Sequence, residues 1–167
     1  MLNNSSFTGL LRFLALLLCQ VLIFNNLNVF GLYNPMLYVL FLYWYPIKNN
    51  RALFLSVSFL LGFAVDVFSD TLALHTAAML TTAFFRPQIM AFVFGINMEF
   101  QNLRITQTSR LQQLSFLAIL LSLHHLVFFA LEIFSLTNFL LILKMSLITG
   151  TLSFIFSALF ASLFSSR

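Results

Sequence analysis

The chain has 167 residues, of which 61% are hydrophobic and only 7% are Asp, Glu, Lys or Arg, with a formal net charge of +4. A water-soluble domain of this size cannot hide so much apolar surface, which excludes a soluble globular enzyme or binding module. A spanning helix takes about 20 predominantly apolar residues. The runs here are apolar on every face, without the alternation of a membrane barrel, so the sequence predicts an all-α integral membrane protein.

Taken in chain order, apolar runs with polar punctuation predict six transmembrane helices in one domain spanning residues 1–167. The first covers about 9–24 and stops at Asn25, Asn26 and Asn28. It contains Cys19, which as the single cysteine has no intrachain disulfide partner and reads as a small buried hydrophobe. Arg12 followed by apolar residues imitates a secretory signal, but no small-x-small cleavage pattern follows, and the segment reads as a retained helix. The second run, 30–46, ends in Tyr43-Trp44-Tyr45-Pro46, an aromatic cluster suited to a membrane interface. The third covers 52–68 and the fourth 71–86, up to Arg86-Pro87. Residues 87–113 read as a cytoplasmic or interfacial loop, followed by a fifth helix at 114–131 and a sixth at 139–164.

Charge placement supports an even number of spans, because short cytoplasmic loops collect Lys and Arg. With the N-terminus inside, Arg12, Lys48, Arg51, Arg86, Arg104, Arg110 and Arg167 all fall on the cytoplasmic side. Only Lys144 falls outward, near an interface to which its stem can snorkel. Both termini are therefore expected in the cytoplasm. The basic residues are scattered rather than clustered on one face, which points to the anionic lipid of a bilayer and away from nucleic acid.

Ionisable and small polar residues within the runs are the candidates for function, since such groups are costly in hydrocarbon. In the third helix Ser58, Gly62, Asp66 and Asp70 recur every four residues and share one face. Asp66 stands 14 residues beyond Ala52, about 21 Å along a helix rising about 1.5 Å per residue, in the outer half of the bilayer. Two readings remain open. Gly62 permits close helix approach while Asp66 hydrogen-bonds a neighbouring helix end, or the stripe forms a ligand, ion or partner site. His75 opens the fourth helix within reach of either aspartate. His124 and His125 project about 100° apart and lack metal-site spacing, so no metal or cofactor is expected. Thr149, Ser153, Ser157 and Ala161 form a small-residue stripe in the sixth helix, suited to packing inside the bundle or against another membrane protein. No nucleophile elbow or phosphate-cradling glycine loop occurs, so no catalytic residue is assigned and no enzymatic activity is expected.

Several ordered features resemble the bacterial rod shape-determining protein MreD family. They are Leu18-Cys19-Gln20-Val21, Pro35, the stretch Gly62-Phe63-Ala64-Val65-Asp66-Val67-Phe68-Ser69-Asp70, His75, and Arg86-Pro87. The pattern covers about residues 15–90, with the Gly-x-x-x-Asp region its most specific part. One departure is Leu72-Ala73-Leu74, where many relatives have a glycine just before the His75 position. The resemblance implies a non-enzymatic scaffold in the bacterial inner (cytoplasmic) membrane. It would act in the cell-elongation machinery that builds side-wall peptidoglycan, beside MreC. Further partners would be the elongation glycosyltransferase and transpeptidase and, indirectly, MreB. The implied fold is similar to the six-helix substrate-binding subunits of energy-coupling-factor transporters, which makes a vitamin-binding transporter subunit the rival expectation. Such a subunit builds its pocket from long outer loops that this chain lacks, and a shared fold does not decide function.

Overall fold

The computed structural model describes residues 4–47, 50–95 and 105–163, and among these the chain is all-helical. Five helices are long and apolar enough to cross a membrane. They are α1 (Asn4–Leu22), α3 (Arg51–Ser69), α4 (Leu74–Phe94), α5 (Arg110–Ile133) and α6 (Phe139–Leu163). The segment expected as a second spanning helix over 30–46 is different. Its helical part is a single turn at Leu37–Val39 followed by the short α2 (Leu40–Trp44).

The cause lies in the residues before that turn. Gly31 takes a left-handed φ of 77°, and Pro35 lacks an N–H and disfavours helical geometry at Asn34. The remaining apolar stretch is too short to span as a helix. It is nonetheless the most buried part of the molecule, with Leu37, Tyr38, Val39, Leu40 and Leu42 all at 0% exposure. Irregular backbone at membrane depth is tolerated where protein covers it, and here α1, α5 and α6 pack around it.

The end of α1 lies beside the end of α3, because Asn25 Nδ2 donates to Ser69 Oγ at 2.8 Å. At the opposite end Phe13 of α1 meets Phe41, and Tyr45 lies 4.6 Å from Phe54 near the start of α3. The two helices therefore run in the same direction, and the chain between them returns from the asparagine end of the bundle to the other, arginine end. Arg12, Arg51 and Arg86 lie at that second end, packed over Trp44, Phe84 and Phe54 respectively.

A further departure from expectation is α4, which continues through Pro87 to Phe94 instead of ending at Arg86. Proline inside a helix removes one backbone hydrogen bond without forcing termination when neighbouring helices hold the rod. Of the 87–113 stretch expected as a loop, 87–94 is helical and α5 begins at Arg110. That start is sealed by a capping box between Ser109 and Gln112. The 96–104 part lies outside the described residues.

Candidate functional site

Helix α4 begins at a residue that cannot cap it. Ala73, with φ 61°, has no side-chain oxygen, so the first N–H groups of α4 need an acceptor from elsewhere. Asp66 of α3 supplies it. One carboxylate oxygen accepts from His75 N at 2.9 Å, the other from Thr76 N at 2.8 Å, and the hydroxyls of Thr71 and Thr76 complete the shell. A negative charge at a helix N-terminus also meets the positive end of the helix dipole.

Gly62, one turn earlier, makes this approach possible. A Cβ there would sit 2.7 Å from Thr76 Cα and 2.9 Å from His75 O, both backbone atoms that cannot swing aside. Of the four-residue stripe, Ser58, Gly62 and Asp66 are buried, whereas Asp70 is exposed and ends α3 with a φ of 53°. The deeper members thus pack against α4, and the Asp66 carboxylate hydrogen-bonds a helix end within the same chain.

His75 gives Asp66 its backbone N–H only. Its ring turns to Tyr38, whose hydroxyl stands 2.8 Å from His75 Nδ1 and 2.7 Å from His124 Nε2. The backbone before Tyr38 is held by side chains as well. Gln20 Oε1 accepts from Leu37 N at 2.7 Å and from Tyr38 N at 3.3 Å, and Gln20 Nε2 donates to Pro35 O. Ser153 Oγ accepts from Met36 N at 2.8 Å. Three N–H groups without a helical partner are in this way satisfied in an apolar interior, where each would otherwise cost several kcal/mol.

The adjacent histidines separate as helical geometry requires. His124 faces Tyr38, while His125 Nδ1 lies 2.8 Å from Leu121 O and His125 Nε2 lies 2.9 Å from Ser153 Oγ. A carbonyl only accepts, so Nδ1 of His125 carries the proton and Nε2 accepts from Ser153. His124 Nδ1 is buried with no hydrogen-bond partner among the described residues. A proton there would be an orphaned donor, so the assignment that pairs every buried proton puts it on His124 Nε2. Tyr38 then donates to His75 Nδ1, leaving the proton of His75 on Nε2.

Arg86, 5% exposed, closes the arginine end. Its guanidinium donates to Tyr45 O at 2.7 Å and lies over the rings of Phe54 and Phe116, at 5.1 and 5.9 Å. Pro87 follows it within α4. In α6, Thr149, Ser153 and Ser157 are buried and Ala161 is half-buried, so the small-residue stripe faces inward. Among the described residues no group of His, Cys, Asp and Glu is placed to hold a metal ion.

At the asparagine end these elements enclose a cleft of about 440 Å³, lined among others by Gln20, Asn25, Thr71, His75, Glu132 and Thr149. The sequence alone does not single out Tyr38, which looks no different from Tyr43 or Tyr45. Gln20 carries a signal, as the lone carboxamide in the apolar run from Phe13 to Phe24.

Long apolar helices around an interior whose polar groups mostly hydrogen-bond one another are the features of a multi-pass helical membrane protein. Comparison with protein-family models, curated proteins and solved structures finds no match to this chain.

Proposed function

We propose that this protein is a non-enzymatic scaffold of the MreD type, acting with MreC in side-wall peptidoglycan synthesis at the bacterial inner membrane. The observation that carries the reading is the convergence of the residues behind the resemblance. Gln20 binds the backbone at Pro35, Gly62 and Asp66 seat the start of α4 at His75, and Arg86 binds Tyr45 O. Residues scattered over about 70 positions thus form one buried framework that joins α1, α3, α4 and the central segment. Their polar groups are spent on each other, which suits a shape-holding scaffold better than a catalyst.

In this reading the chain crosses the bilayer six times, the second crossing being the buried 35–47 segment, with an arrangement like that of the energy-coupling-factor substrate-binding subunits. The parallel course of α1 and α3 supports an even count. Arginines gathered at one end support a cytoplasmic arginine end and cytoplasmic termini. MreC is the leading partner, with the elongation glycosyltransferase and transpeptidase and, indirectly, MreB beyond it. The cleft at the asparagine end is the one feature favouring the rival, a small-molecule-binding transporter subunit. Depletion in the native host separates them. Rod-shaped cells should round up, and the protein solubilised from native membranes should copurify with MreC. Unchanged shape with loss of uptake of a vitamin would favour the rival.

A further inference from the structure

The cleft at the asparagine end has a chemistry of its own. Its volume of about 440 Å³ falls within the range of about 300–1,000 Å³ usual for small-molecule sites. Among the described residues no Lys or Arg belongs to its lining, and the one charged side chain there is the Glu132 carboxylate. Thr149, only 2% exposed, forms part of the wall, and its hydroxyl has no hydrogen-bond partner among the described residues. His75 joins the lining with Nδ1 engaged by Tyr38, which leaves Nε2–H as its remaining donor. Phe128, tilted at 42° against the His75 ring at 4.6 Å, and Phe129 supply aromatic faces.

Together these groups select charge and shape. A carboxylate beside aromatic faces attracts an ammonium through both Coulomb and cation–π interaction and repels an anion. The unpaired hydroxyl and the imidazole N–H suit an oxygen acceptor on the same molecule. We infer that this cleft binds a small organic ammonium compound bearing an oxygen acceptor, with Glu132 receiving the cation and Thr149 and His75 the oxygen. The inference holds whether the whole protein is a scaffold or a transporter subunit.

Thermal unfolding of the full chain in detergent micelles, followed by helical circular dichroism, tests this with ethanolamine and choline as probes and glycolate as the anionic counterpart. Both ammonium probes should raise the midpoint saturably and glycolate should not. Glu132→Gln should abolish the shift while leaving the unliganded spectrum unchanged, since Glu132 is exposed and glutamine is nearly isosteric with it. Thr149→Val should weaken the half-saturating concentration several-fold. Absence of a saturable shift, an equal shift in Glu132→Gln, or stabilisation by glycolate would each overturn the assignment. If Thr149→Val fails to fold, the Glu132 pair of measurements decides alone. None of these outcomes bears on capture of MreC.

Discussion

The Asp66 carboxylate receives the Thr76 backbone N–H at 2.8 Å, so a side chain of α3 caps the helix that follows it. The same carboxylate also serves His75 N and two threonine hydroxyls. Removing it leaves buried donors unpaired, at about 1–3 kcal/mol for each. Asp66→Leu should therefore lower the unfolding midpoint in mixed micelles far more than Asp70→Asn, which alters an exposed residue whose left-handed backbone asparagine tolerates. Equal midpoints for the two variants would contradict a capping role.

Ala73 stands where the turn between α3 and α4 requires a left-handed backbone. Its φ of 61° is left-handed, a conformation that costs an L-residue about 1–2 kcal/mol and glycine nothing. Ala73→Gly should raise the unfolding midpoint, by up to about 1 kcal/mol in stability after the entropy of the added glycine is offset. A lowered midpoint would mean that the turn is relaxed as it stands.

The Tyr38 hydroxyl links the central segment to both His75 and His124. Tyr38→Phe keeps the ring and removes the hydroxyl, which should cost about 1–3 kcal/mol through the unpaired imidazole nitrogens. Combining it with His124→Phe should cost less than the two single changes summed, because the pair shares one interaction. Strict additivity in the double-mutant cycle would show that the hydroxyl bridge contributes nothing.

How much of this was legible in the sequence follows from what each residue type reports. Length and hydropathy mark α1, α3, α4, α5 and α6, because lipid-facing helices need long apolar runs. The central segment misleads because a stretch buried in protein and a helix buried in lipid have the same composition. The correcting signals are Gly31 and Asn34-Pro35, which break the first third of the run 30–46. Pro87 misleads in the other direction, since a proline that ends a helix in water can be carried inside a packed membrane helix. The four-residue spacing of Gly62 and Asp66 put both on one face, and their packing against α4 follows from it. The partner of His75 was not legible. Reach along the chain pointed to an aspartate, but the ring partner Tyr38 comes from 37 residues away.

Topology distinguishes six crossings from five. Reporter fusions after Asn50 and Gln107 should report cytoplasm, and those near Asn28, Asp70 and Thr137 the outer side. If Asn28 and Asn50 report the same side, the buried segment is a re-entrant loop and not a crossing. A periplasmic signal from Gln107 would overturn the six-crossing arrangement altogether.

The scaffold reading rests on a protein partner, because the framework residues are engaged with each other and the outward helix faces are apolar. Phe59, Phe63 and Val67 on α3 and Leu140, Leu147 and Leu159 on α6 are exposed, as lipid contact or a partner helix would require. Photo-crosslinking amino acids placed on successive turns of each helix, in the native host, read this surface directly. The account predicts that a contiguous set of positions captures MreC. Capture of neither MreC nor a wall synthase at any position, with tight binding of a vitamin-sized ligand by the purified protein, would contradict it.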